Sequence, residues 1–275
     1  MMTGGQPGRS PTMLESVELS PFWMGVLGSA GAGACTALGA AGVFAIQRLS
    51  PKLEDMLLSA AAGIMLAASF FSLILPGLEL ANARLGNEVY GALVVIAGVM
   101  LGAIGLWLLH EHLPHEHFVM GREGPDQVEL KRIWLFIIAI TLHNLPEGMA
   151  VGVGFATGDP GNGAGLAIGI GMQNIPEGLA VAVSLLAIGY TRTAACGWGA
   201  LTGAAEPLGG LIGAAAGSLA ELALPAVLGA AAGAMLYIIS DEIIPETHRR
   251  GFQTPATFAL MTGMVVMMFL DTTLG

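Results

Sequence analysis

Eight stretches of the chain stay apolar for about 20 residues or more, which is what a helix rising 1.5 Å per residue needs to cross a hydrocarbon core about 30 Å thick. They run over 22–47, 54–76, 88–109, 132–156, 164–189, 193–217, 222–246 and 255–274. The breaks between them carry turn residues, as in LSPK at 49–52, TGDPGNG at 157–163 and RRGFQTP at 249–255. This pattern predicts an all-α polytopic membrane protein with eight transmembrane helices. Its parts would be a tail at 1–20, three helices at 21–109, a loop at 110–131, two helices at 132–189 and three helices at 190–275.

Basic residues orient these spans, because cytoplasmic loops accumulate Lys and Arg. An exterior N-terminus puts Arg48, Lys52, Arg122, Lys131, Arg132, Arg192, Arg249 and Arg250 inside and leaves only Arg9 and Arg84 outside. Both termini are therefore expected on the periplasmic side, with the loop at 110–131 in the cytoplasm. The first three and last three helices then run in opposite directions, a 3+2+3 arrangement of inverted repeats. Residues 1–20 are polar and rich in Gly, Pro and Ser, without the short apolar core of a signal peptide, and are expected to be a disordered exterior tail.

Composition agrees with a membrane protein: of 275 residues 54% are hydrophobic and only 11% charged, against about 25% charged in an average soluble domain. The net charge of −10 comes from acids at helix ends and inside apolar runs, which argues against a nucleic-acid partner. Cys35 and Cys196 both lie in apolar runs and form no CxxC motif, so they read as packing residues.

Two polar hexads interrupt the fourth and fifth spans: HNLPEG at 143–148 and QNIPEG at 173–178. They continue into similar tails, AVGVG at 150–154 and AVAVS at 180–184, so the two helices are related. Helical spacing puts His143, Asn144 and Glu147 on one face, and likewise Gln173, Asn174 and Glu177. Pro146 and Pro176 cannot donate to the carbonyls of Leu142 and Met172, which should bend each helix and free an oxygen. His143 falls roughly 17 Å from the inner end of its span and Gln173 roughly 14 Å from the outer end of its own, so both reach the midplane. Glu206 in the sixth span and Met65 in the second come to similar depths. A carboxylate there costs about 2.5–3.5 kcal/mol even on a mild scale. Neutral, hydrogen-bonded helix contacts are one reading of Glu147, Glu177 and Glu206. One imidazole, three carboxylates and three carboxamides are better explained by a divalent transition metal.

HNLPEG, QNIPEG, the Glu206-Pro207 pair and GIMLAASFFSLILPGLE in the second span resemble the signatures of the ZIP (Zrt-, Irt-like) metal transporters, in their GufA-like bacterial branch. The resemblance covers essentially the whole membrane region. It implies import of Zn2+, and also Cd2+, into the cytoplasm by alternating access, through a bacterial inner membrane protein assembled as a homodimer. It also implies a binuclear centre. One metal would be held by Met65, His143, Glu147, Gln173 and Glu177, the other by Asn144, Glu147, Asn174, Glu177 and Glu206, with Glu147 and Glu177 bridging. Gln173 stands where many members have a second histidine, which leaves the preferred metal open. Met65 adds a soft sulfur suited to zinc or cadmium, although a methionine on an apolar helix is ordinarily packing.

Other residues fit a metal route. His110, His112, His115 and His117 alternate with acids in HEHLPHEHF, where they would capture zinc weakly or simply be solvated. Asp241, Glu242, Glu246 and His248 lie at the inner end of the seventh span and could line an exit; Glu79 and Asp271 lie at outer ends and could attract cations to an entrance. The first, fourth, fifth and sixth spans hold 21 glycines and the other four hold 8. Gly209, Gly213 and Gly217 form a stripe for close helix approach. The resemblance makes the glycine-rich helices a unit that moves against the rest. A metal channel is the rival; a membrane metalloenzyme is disfavoured because HExxH is absent and the ligand set leaves no open position.

Overall fold

The computed structural model describes residues 19–46, 48–112, 129–187, 190–219 and 223–274, and these are helical with no strand among them. The helices are α1 (Pro21–Ala41), α2 (Pro51–Ala67), α3 (Leu75–Leu85), α4 (Glu88–His112), α5 (Glu129–Ala156), α6 (Pro160–Ala187), α7 (Arg192–Thr202), α8 (Ala205–Leu219), α9 (Leu224–Ile238), α10 (Ile244–Thr247) and α11 (Gln253–Leu274). Six continuous helical stretches among the described residues are long and apolar enough to cross a membrane: 21–44, 51–85, 88–108, 160–186, 224–247 and 253–274. These coincide with six of the eight predicted spans. The predicted fourth span falls on α5, 28 residues long, and the sixth is divided between α7 and α8.

Prolines account for two departures from the predicted spans. The second was expected to end at Pro76, yet α2 runs on through a π-helical segment, Ala68–Ile74, into α3. Pro76 has no N–H for the Ser72 carbonyl; the wider π turn absorbs the mismatch, and that carbonyl accepts instead from Asn162 Nδ2 at 3.1 Å. The helix ends at Gly86, whose φ of 62° is left-handed. A second π segment, Ile239–Ile243, sits before Pro245 between α9 and α10. In the sixth span, Pro207 has no N–H to offer the Gly203 carbonyl, which in an unbroken helix would leave that oxygen free. The helix breaks there instead, and that carbonyl accepts from the Glu206 N–H at 3.3 Å.

Packing divides the helices into two groups. In the first, α1 lies along α6 and α5 along α8, with α7 against α1 and α6. In the second, α2 lies along α11 and α4 along α9, with α3 beside α4. Contact between the groups is less extensive and runs through α2–α6, α5–α9 and α6–α11. The first group is the glycine-rich one. Outside, α4 and α11 expose Leu93, Leu101, Phe258 and Phe269, a surface suited to lipid.

The first group is held by contacts that occur twice. Gly148 faces the Glu206 carbonyl, and Gly178, the equivalent glycine of the second hexad, faces the Thr36 carbonyl. Likewise Gly209 faces the Leu145 carbonyl and Gly39 the Ile175 carbonyl, while Gly33 and Gly203 face each other. A Cβ at any of these glycines would run into neighbouring backbone. The partners belong to a second repeat, GACTALGA at 33–40 and GAAEPLGG at 203–210, which aligns Thr36 with Glu206. Each hexad therefore ends on the glycine that admits the helix completing its half of the group.

At one end of the second group, Arg250 draws together Glu54 at 2.7 Å, Glu246 at 3.3 Å and the fully buried Asp55 at 3.6 Å.

Candidate metal centre

The hexads place their side chains toward one another. His143, Asn144, Glu147, Gln173, Asn174, Glu177 and Glu206 are all buried, none more than 6% exposed. The Gln173 amide donates to Glu147 at 2.7 Å, which links α6 to α5. The Asn174 amide donates to Glu206 at 2.7 Å and to the Ala32 carbonyl at 3.0 Å, which links α6 to α8 and α1. Glu206 also accepts from the Thr36 hydroxyl at 3.1 Å. Glu147 lies within electrostatic reach of Glu177 and Glu206, and His143 of Glu177. Glu206 stands in the first turn of α8, where the helix dipole favours a carboxylate.

These bonds leave an unusual remainder. Glu147 Oε2, Gln173 Oε1, Asn174 Oδ1, Glu206 Oε2 and both polar atoms of the Asn144 side chain are buried without a hydrogen-bond partner among the described residues. Orphaned buried polar atoms are few in folded proteins and each calls for an explanation. Here four acceptor oxygens, from two carboxylates and two carboxamides, and the side chain of a third carboxamide, Asn144, are concentrated on neighbouring helices, with acidic charge beside them. A divalent cation is a partner that the orphaned acceptor oxygens could share, while the Asn144 N–H group needs an acceptor of its own. Among the described residues no three His, Cys, Asp or Glu side chains converge closely enough to hold an ion by themselves, so carboxamide oxygens would have to complete any shell.

Met65 is fully buried and belongs to the same apolar cluster as Ala150, Val151 and Ile170 of α5 and α6. It faces the right helices, in the setting of a packing residue.

Glu242 departs most from the sequence reading. It was expected at an exit with Asp241, Glu246 and His248. Instead it meets His143 Nε2 at 2.8 Å, bringing the second π segment to the hexads. Glu242 lies within that π segment, whose turn is one residue wider than an α turn. Asp241 is exposed. Glu246 pairs with Arg249 and Arg250, each at 3.3 Å. The His248 ring contacts the Ile244 carbonyl and Thr257 Oγ1, each at 3.0 Å. His115 and His117 lie outside the described residues, as do the side chains of His110 and His112.

Glu79 and Asp271 line one cavity of about 380 Å³, together with Thr157 and Asp159 from the α5–α6 turn and Asn162 from the first turn of α6. Ser72 donates to Asp271 at 2.7 Å, and Asn162 Oδ1 is buried without a partner there. Asp159 and Asn162 escaped the sequence reading because TGDPGNG carries an ordinary turn signal; Asp159 does cap α6, through Gly161 N at 2.9 Å. Thr36 was missed because a lone threonine in an apolar run has no pattern of its own.

Residues 109–271 match the family model described as ZIP zinc transporter. The chain is 48% identical to Zinc transporter ZIPB of Bordetella bronchiseptica over 250 residues, covering 91% of this chain and 81% of that protein. It is 44% identical to Zinc transporter GufA of Myxococcus xanthus, covering 91% and 99%, and 34% identical to human Zinc transporter ZIP11, covering 93% and 98%.

Proposed function

The chain belongs to the ZIP zinc transporter family, and on that premise we propose that it carries Zn2+ into the cytoplasm across a bacterial inner membrane, binding it in the buried cluster on α5, α6 and α8. The family is one of transporters, not enzymes, and the metal is cargo. The observation that carries this reading is the set of partnerless oxygens of Glu147, Gln173, Asn174 and Glu206.

In this reading α7 and α8 form one broken span, α5 crosses as well, and the eight spans have the 3+2+3 order with both termini periplasmic. Two ions share the site: one on Met65, His143, Glu147, Gln173 and Glu177, the other on Asn144, Glu147, Asn174, Glu177 and Glu206. The soft sulfur of Met65 extends the cargo to Cd2+. Two such chains assemble as a homodimer. Cations gather at the acidic cavity of Glu79, Asp159 and Asp271. They leave past Asp241 toward the loop histidines.

The glycine-rich group moves as a body against the second group, in the manner of an elevator. Its internal contacts are backbone against backbone, whereas the contacts between groups are fewer. The His143–Glu242 pair joins the two groups, so it must part when His143 takes metal or the groups slide. A disulfide between Gly169→Cys on α6 and Met267→Cys on α11, positions that lie against each other, should stop uptake into proteoliposomes when oxidised and restore it when reduced. Uptake that continues in the oxidised protein would favour a channel.

Glu206 touches only the second ion in this assignment. Glu206→Gln is expected to bind about half the zinc of wild type and to transport at a reduced rate. Metal content by mass spectrometry and uptake on the same preparation check this. Unchanged stoichiometry would remove Glu206 from the site.

A further inference from the structure

We infer that Thr36 is a positioning residue for the second ion, holding Glu206 and Asn174 so that each presents an oxygen to it; this rests on the two-ion reading above.

Three contacts define the arrangement. The Thr36 hydroxyl donates to Glu206 Oε1 at 3.1 Å, the Asn174 amide donates to the same oxygen at 2.7 Å, and its nitrogen also donates to the Ala32 carbonyl at 3.0 Å. Oε1 thus receives two donors, which fixes the carboxylate about its terminal torsion and leaves Oε2 buried without a partner. The same nitrogen, held from α1 and α8, fixes the amide so that Asn174 Oδ1 is also left without one. Asparagine's two ends are chemically opposite: only the oxygen can ligate a cation. Ala32 and Thr36 are one helical turn apart on α1, so one face of that helix sets the orientation of both ligands. Outer hydrogen bonds of this kind orient and tune metal ligands.

Thr36 is itself held in place. It is 1% exposed, and its carbonyl meets Gly178, directly after Glu177. The repeat at 33–40 and 203–210 makes Thr36 the counterpart of Glu206 across the group. The two equivalent positions therefore meet, one supplying a carboxylate and the other the hydroxyl that orients it.

Two substitutions separate the hydroxyl from the packing. Thr36→Val keeps the branched shape and removes the hydroxyl; Thr36→Ser keeps the hydroxyl and removes the methyl. Zinc titration of the purified proteins in detergent should show two ions in wild type and in Thr36→Ser. In Thr36→Val the second ion should weaken by about tenfold to a hundredfold while the first is unchanged. Equal weakening in Thr36→Ser would mean that packing, not the hydroxyl, matters, and would overturn the inference. So would wild-type affinity for both ions in Thr36→Val. A wild type that binds a single zinc would remove the two-ion reading itself, and the inference with it.

Discussion

Replacing His143 or Glu177 with alanine is expected to reduce zinc uptake into proteoliposomes to the level of empty vesicles. Both side chains are at most 6% exposed and sit among apolar helices, so water cannot stand in for a lost ligand as it does at a surface site. Losing an outer hydrogen bond to a metal ligand typically costs about 10–100-fold in affinity; losing the ligand itself should cost more. His143→Ala has a second effect, because it leaves Glu242 without the imidazole it contacts at 2.8 Å. Glu177→Gln, which keeps the volume, is the companion variant that separates lost charge from a packing defect. Uptake is measured on proteins that elute as wild type does in detergent. Wild-type rates in either alanine variant would sink the site.

Gly178→Val should cause the largest loss of folded protein. A Cβ there meets the Thr36 carbonyl, the Thr36 backbone and the Ala40 N–H of α1. Neither helix can turn a rotamer aside, so α1 must move off α6. An overpacked side chain costs about 1–3 kcal/mol, and a clash with fixed backbone lies above that range. Gly148→Val should behave alike through the Glu206 carbonyl of α8. The control is Gly165→Ala on the same α6, where a Cβ meets nothing within 4 Å. Thermal aggregation in detergent, followed by size-exclusion chromatography, should show a lower midpoint for the valine variants and none for the control. A wild-type midpoint in Gly178→Val would mean that α1 and α6 are not locked together, and the picture of a rigid glycine-rich group would fail.

The ends of most helices were legible because length and apolarity are local properties: six predicted spans match helical stretches to within a few residues at most of their ends. The exception, at 51–85, ran past Pro76 because an asparagine 90 residues away satisfies the carbonyl that the proline leaves free, a compensation no local pattern contains. The sixth span failed the other way: Gly203 and Pro207 together permit a break where apolarity suggested one helix. Hexad repetition and helical spacing led to the expectation that His143, Asn144, Glu147, Gln173, Asn174 and Glu177 share a cluster, since spacing fixes a face; all six are buried, and Gln173 bonds to Glu147.

By itself, then, the sequence determined where six long apolar helices run and singled out the polar residues that interrupt apolar stretches, because burying unpaired carboxylates in hydrocarbon is too costly to be incidental. Tertiary structure alone decided what those residues touch. It turned Glu242 onto His143, joined Thr36 and Ala32 of α1 to Glu206 and Asn174, and set Asp159 and Asn162 beside Asp271 in one cavity. Each of these depends on how one helix is rotated and set against another, and backbone approach through glycine fixes that rotation. The glycines are visible in the sequence, but the partner each one admits is not.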